Sequence, residues 1–371
     1  MNLRIGRLCL ALTLAAGAHA ADADIYSRID RISAQVRESM KKYDVPGVSV
    51  AVFSDFRIEW AKGYGVADVE TKQPVDTLTL FQAASISKPV ACLATMRLVQ
   101  EKRLSLDTNV NEYLTSWKLP ENDLTRATPL TLRHIMSHTG GLTVHGFRGY
   151  EQGQPIPTVP QILDGLPPAN SEAVRVTVAP GTKFEYSGGG STIMQQVLLD
   201  VTRLPFPELM RVLVLDRIGM AMSTYEQPLP ESAVPFASTG HEPHGQAIKG
   251  KRHIYPELIA AGLSTTPSDL ARFAMAIQRA RMGLPGAILS KDLARLMTTP
   301  SIPGSFGLGL EPMPMREKEK RYFGHTGGNV GYRCMLEATL EGGNGVVVMT
   351  NGDEFKAVAE IVRKVTAEYG W

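Results

Sequence analysis

The chain has 371 residues, 43% of them hydrophobic, and its 39 basic and 37 acidic residues leave a formal charge of +2. A balance so close to neutral, with no Lys/Arg run interleaved with aromatics, excludes a nucleic-acid-binding surface. The length exceeds the roughly 250–300 residues of one hydrophobic core, so two lobes are expected.

Arg4 and Arg7 precede the apolar run Leu8–Ala16, and Ala18-His19-Ala20 stands ahead of Ala21. This is the pattern of a secretory leader over residues 1–20, which predicts an exported protein, periplasmic or secreted. Arg7, two residues before Cys9, argues against a lipidation signal. Removing the leader removes Arg4 and Arg7 and leaves basic and acidic residues equal in number. No later stretch reaches the about 20 apolar residues of a transmembrane helix.

In Ile25–Tyr43 the residues Ile25, Ile29, Ile32, Val36 and Met40 recur at helical period among charges. Gly47–Ser54 and Arg57–Tyr64 are β-branched and aromatic runs separated by Asp55-Phe56, which predicts a hairpin. From Ser85 to about Arg217 the pattern is mainly helical, with helices over Ser191–Val201 and Pro207–Leu215 and a Pro/Gly-rich loop at Gly149–Pro168. Strands return at Tyr332–Leu340 and Gly345–Thr350 around the turn Glu341-Gly342-Gly343-Asn344. A last helix over Glu354–Tyr369 carries the stripe Phe355, Val358, Val362 and Val365. Both ends therefore supply sheet and helix. The expected assembly is an α/β lobe from residues 21–84 and 241–371, with a mostly helical domain, 85–240, inserted between and carrying Ser85 at its boundary.

The tetrad Ser85-Ile86-Ser87-Lys88 sets a hydroxyl and an amine three residues apart at the head of a segment that is apolar nearly all round. On a helix these two share one face, so the amine can reach the hydroxyl and activate it as a nucleophile. Pro89 falls in the first turn, where no N–H is missed. The same spacing recurs at Ser39-Met40-Lys41-Lys42, but there the lysines lie among charges and read as a solvated face.

Two further short motifs follow, Tyr186-Ser187-Gly188 and His325-Thr326-Gly327. With the tetrad, and with the stretches Leu132–Leu142, Ala260–Phe273 and Gly324–Tyr332, they resemble the serine β-lactamase and penicillin-recognising hydrolases. The resemblance is to the branch holding class C β-lactamases, D-alanyl-D-alanine carboxypeptidases, D-aminopeptidases and family VIII esterases, and it covers nearly the whole mature chain. It implies a β-lactamase/transpeptidase-like α/β fold, an antiparallel sheet flanked by terminal helices with an inserted helical domain. It further implies Ser85 as nucleophile, Lys88 as its partner and Tyr186 as general base and acid, with either Lys88 or Tyr186 taking the first proton. The N–H groups of Ser85 and Gly328 would form the oxyanion hole, and Gly188, His325, Thr326 and Gly327 would contact substrate. Gly188 stands where the family commonly has an asparagine that holds an amide carbonyl, and the glycines after it suggest a wider pocket or a looser loop. His325 stands where β-lactamases usually have lysine; a neutral imidazole attracts a substrate carboxylate less than an ammonium does.

A second His-Thr-Gly, His138-Thr139-Gly140, reads as structural. His241, His244 and His253 lack the spacing and adjacent carboxylates of a metal site, so no metal or other cofactor is expected. Cys92 and Cys334 lie in apolar segments and read as core rather than as a bridge. The expected activity is serine hydrolysis through an acyl-enzyme on a small-molecule or peptide substrate: a peptide amide (one containing a D-amino acid included), a small ester or a β-lactam. The alternative is a penicillin-binding sensor or cell-wall-fragment binder with little turnover.

Overall fold

The computed structural model describes residues 25–243, 245–313 and 321–371. The expected leader, residues 1–20, and His244 lie outside the described residues.

A six-stranded antiparallel sheet is built from both ends of the chain. The strands are β1 (Gly47–Ser54), β2 (Arg57–Gly65), β5 (Glu311–Met313), β6 (Tyr322–Asn329), β7 (Tyr332–Thr339) and β8 (Gly345–Thr350), in the order β2-β1-β8-β7-β6-β5. Two short strands, β3 (Phe81–Gln82) and β4 (Ser264–Thr265), pair separately. The β1–β2 turn forms because Asp55 and Phe56 both adopt positive φ, at 48° and 59°. Two such residues in sequence make the tight turn whose twist matches a hairpin.

β1 and β8 are buried on both faces, and their alternation sorts two layers. Val48, Val50, Val52, Val346 and Val348 face the terminal helices 25–43 and Phe355–Tyr369, where Ile32, Val36, Ile361, Val362 and Val365 meet them. Ala51, Phe53, Val347 and Met349 face the larger core that includes the helix Pro267–Met282 and the central helix Ser87–Gln100. The central helix is buried nearly all round, from Ser87 through Met96 and again at Leu98. A helix with no polar face belongs in the middle of a domain.

The two terminal helices are also tied by polar groups. Ser39 is fully buried and donates to Glu360 at 2.9 Å, and Lys42 and Lys364 both pair with the same carboxylate. Ser39 is thus a structural anchor, and the i+3 amine beside it is directed at Glu360.

The middle of the chain departs from expectation at one point. Within the Pro/Gly-rich stretch 149–168 lies a helix, Val159–Asp164, opened by a capping box between Thr158 and Gln161 and closed by Gly165 at φ 63°. The cap satisfies N–H groups that the local composition gave no reason to expect in a helix. Expected Ser191–Val201 begins earlier, as Gly188–Thr202, because Ser187 accepts a hydrogen bond from the Gly190 N–H and so caps the helix three residues upstream. Expected Pro207–Leu215 runs as helical turns from Phe206 to Ile218.

Cys92 and Cys334 are both buried and free. Burial pushes the Cys92 thiol up to about 12 and the Cys334 thiol higher still, so neither offers a thiolate. Among the described residues no helix is long and apolar enough to cross a membrane.

Candidate active site

The turn Ala84–Ile86 leads directly into the central helix and places Ser85 at its mouth. Ala84 holds φ at +48°, a conformation that costs a residue with a Cβ about 1 kcal/mol or more. The surroundings hold it there. Ala83 donates its N–H to the Leu263 carbonyl at 2.8 Å, and its own carbonyl accepts from Ile86 N–H at 3.0 Å and from the Cys334 thiol at 3.1 Å. Ser87 donates to the Ala84 carbonyl and accepts from Leu263 N–H. Gly327 on β6 permits this approach, since a Cβ there would run into the Ala83 carbonyl and the Cys334 sulfur.

Lys88 follows one turn later and is 4% exposed. Its Nζ donates to Ser85 Oγ at 3.1 Å and to the Ala260 carbonyl at 2.8 Å. The ring of Tyr186 stands with its centroid 5.0 Å from the same Nζ. Hydroxyl, amine and phenol ring therefore converge.

Ser85, Lys88, Tyr186, His325, Thr326 and Gly328 line one cleft of about 460 Å³. Gly188 and Gly327 do not line it. Gly327 lies beneath Ala83, and Gly188 sits behind Phe147: a Cβ at 188 would lie 3.1 Å from Phe147 Cε2 and 3.1 Å from the His145 carbonyl oxygen. The glycines do not loosen the loop. They let segment 142–147 pack on the helix start, with Gly188 N–H donating to His145 O and Gly189 N–H to Val144 O, each at 3.0 Å. Phe147 therefore fills the place where a longer side chain at 188 would project.

Several residues of the site were not foreseen. His138 is buried and stacks on Tyr186 with ring centroids 4.2 Å apart. Its Nδ1 accepts from the Ser187 N–H at 3.2 Å, which fixes the proton on Nε2. Burial, with Lys88 and two other histidines nearby, holds this imidazole well below its usual range. His145 tilts against Tyr186 at 4.9 Å, and His325 lies 6.1 Å from the same ring. The two His-Thr-Gly-Gly copies thus bracket Tyr186, and the repetition itself was the available signal. Phe184, Phe306 and Glu311 complete the wall, brought in from segments without any motif.

His241 and His253 are each held by a backbone carbonyl, of Asn351 and Arg148, at 2.9 Å. Among the described residues no group of histidines, cysteines and carboxylates is placed to hold a metal.

Behind the cleft, Glu257 precedes the short helix Leu258–Ala261 that presents the Ala260 carbonyl to Lys88. Glu257 is fully buried, and among the described residues neither carboxyl oxygen has a hydrogen-bond partner. Burial pushes its carboxyl from 4.5 up to about 8. The fold keeps this proton while the unfolded chain loses it, so stability from Glu257 is full below about 4.5 and declines until about pH 8. Glu257→Gln should remove that slope. The melting temperature of the variant, minus that of the parent, is expected to grow between pH 5 and pH 9; a constant difference would show that Glu257 does not hold the proton.

The sequence profile of the beta-lactamase family matches residues 32–369. A beta-lactamase of Lysobacter lactamgenus is 28% identical over 244 residues, covering 65% of this chain and 58% of that protein. Protein flp of Staphylococcus aureus strain N315 is 24% identical over 213 residues, covering 55% of this chain but 39% of its own length. Among solved structures, the octameric penicillin-binding protein homologue from Pyrococcus abyssi superposes with a TM-score of 0.73 at 22% identity, covering 92% of this chain and 77% of that one. The D-alanine carboxypeptidase AmpC from Burkholderia cenocepacia superposes at 0.72 with 18% identity, covering 92% and 99%. The sheet with its helices is the β-lactamase/transpeptidase-like fold, and with the family profile spanning residues 32–369 the chain belongs to the beta-lactamase family.

Proposed function

We propose that the protein is an exported serine hydrolase that forms an acyl-enzyme at Ser85 and cleaves a peptide amide (one containing a D-amino acid included), a small ester or a β-lactam. The observation that carries this reading is the 3.1 Å bond between Lys88 Nζ and Ser85 Oγ beneath the Tyr186 ring. In this reading residues 21–84 and 241–371 act as the sheet lobe, and 85–240 as the helical lobe with the nucleophile at its edge.

The chemistry proceeds in two halves. Ser85 Oγ attacks the substrate carbonyl while its proton passes to Lys88 or Tyr186. The oxyanion is met by the N–H groups of Ser85 and Gly328, each such donor worth about 3–4 kcal/mol. Collapse breaks the bond to the leaving group, which takes the proton back and departs. Water then adds to the acyl ester with the same groups as base and acid, and Ser85 is regenerated. His138, stacked on Tyr186 and tied to Ser187, positions the phenol without touching substrate.

Rapid acid quenching of a reaction with p-nitrophenyl acetate, followed by intact-mass and peptide analysis, tests the reading. An acetyl adduct is expected on the peptide containing Ser85 during turnover and is expected to vanish once substrate is spent. An adduct that persists after the substrate is gone would point to a penicillin-binding sensor instead, and an adduct on any other residue would overturn the assignment of Ser85.

A further inference from the structure

A second cavity, of about 240 Å³, opens beside the β1–β2 turn. It shares no lining residue with the catalytic cleft, and none with β5 or β6 at the opposite edge of the sheet. One wall is the helix Pro267–Met282, which between Pro267 and Ala280 is buried except at Ser268, Arg272, Ala276 and Arg279. These residues share one face, and the rise of the helix sets Arg272 and Arg279 about 10 Å apart along it. Two side chains of that length can close on a single group, and the small Ala276 between them leaves the notch.

Arg217 and Ile218 enter from the helical turn Asp216–Ile218, and Phe56, Met275 and Ile288 supply apolar surface. Arg272 is committed in part, since its Nη1 donates to Asp269 at 2.7 Å. Among the described residues Arg217 and Arg279 form no ion pair: the Arg217 Nε donates to the Val212 carbonyl at 2.9 Å, and the Arg279 guanidinium lies 5.8 Å from the centre of the Phe56 ring. A fourth guanidinium, Arg97, donates to the Ile288 carbonyl at 3.3 Å and pairs with Glu101. Burial and the Arg217 charge hold Arg97 below its usual range against the pull of Glu101, so the positive field extends past the cavity wall. Among the described residues no carboxylate lines the cavity. Three guanidinium charges less that of Asp269 leave two, which matches a phosphoryl monoester near neutral pH.

We propose that this cavity binds a phosphoryl monoester carried on an apolar or aromatic body, its oxygens accepting from Arg217, Arg272 and Arg279 and its body packing against Phe56, Met275 and Ile288. Guanidinium forks match phosphate geometry, and a dianion with three terminal oxygens serves several of them where a carboxylate with two serves one. A soluble phosphate ester and the headgroup of a phosphatidic-acid lipid offer this same group.

Calorimetric titration of the whole protein with phenyl phosphate, phenol and inorganic phosphate at about pH 8, where the ester is a dianion, tests the site. Phenyl phosphate should bind at least about tenfold more tightly than either of the others, and Arg217→Gln and Arg279→Gln should each lower its affinity by about tenfold. Arg279→Lys, which keeps the charge and loses the fork, should fall between. Melting curves establish that each variant is folded, and hydrolysis of p-nitrophenyl acetate should stay at the parent's rate, since neither arginine lines the catalytic cleft. No detectable binding of phenyl phosphate, binding no tighter than that of phenol or inorganic phosphate, or equal binding by the parent and the folded arginine variants would each overturn the proposal. Co-sedimentation with phosphatidylcholine vesicles, with and without phosphatidic acid, separates the two sources. Capture that needs phosphatidic acid and is lost in Arg279→Gln supports a lipid headgroup, and phenyl phosphate binding without such capture supports a soluble ester.

Discussion

Replacing Ser85 with alanine is expected to lower the rate of p-nitrophenyl ester hydrolysis by about 10⁴-fold or more, because among the described residues no other hydroxyl or thiol of the cleft is hydrogen-bonded to an amine. Cys92 and Cys334 are buried and hold their protons, and the Ser187 hydroxyl is committed to the Thr143 carbonyl and the Gly190 N–H. The Thr326 hydroxyl does reach the cleft, but no amine is hydrogen-bonded to it. The variant should fold like the parent, since among the described residues the one hydrogen bond of the Ser85 side chain is that to Lys88. Steady-state rates and a melting curve on the same preparation separate the two effects. Unchanged turnover in a folded variant would remove Ser85 from the reaction.

Lys88→Met, nearly isosteric and uncharged, is expected to lower kcat by about 10²–10⁴-fold, the range in which positioned proton-transfer groups act. Two things are lost together. The Ser85 hydroxyl loses its bonded amine, and Tyr186 loses the cation beside its ring. The buried Ala260 carbonyl also loses a donor, which costs about 1–3 kcal/mol and should appear as a lower melting temperature. Because the bonds of the amine go to Ser85 Oγ and the Ala260 carbonyl, KM should move far less than kcat. Activity within about tenfold of the parent would instead give the whole proton-transfer role to Tyr186.

The hairpin at 47–65, the terminal helices, the last two strands and the central buried helix were legible because each follows from local pattern alone: alternation of two, period of 3.6, or a helix with no polar face. The three motifs that meet at Ser85, Lys88, Tyr186 and His325 were legible because their residue types are rare in combination. What escaped was whatever depends on tertiary fit. The helix Val159–Asp164 is made by one cap pair inside a Pro/Gly-rich segment. Phe147 and Gly188 are complementary in volume across the fold, and neither signals the other in sequence. Glu257 looks like any surface glutamate until the packing around it removes water from both oxygens. His138 was read as structural, and the structure keeps it buried and off the cleft; its stacking on Tyr186 escaped because that partner lies nearly fifty residues away.

The sheet has a consequence for when activity can arise. β1 pairs with β8 from Val48 opposite Thr350 to Phe53 opposite Gly345, and the turn that carries Ser85 rests on Gly327 and Cys334 of β6 and β7. These are among the longest sequence separations the chain can span, and such contacts form late because loop closure must precede them. A nascent chain that has already extruded Ser85, Lys88 and Tyr186 therefore carries the reactive side chains with no scaffold to hold Ala84 in its left-handed conformation. On the role proposed for Ser85, the support of its turn therefore exists only once β6 and β7 are in place, which makes the C-terminal strands a condition of activity as well as part of the sheet.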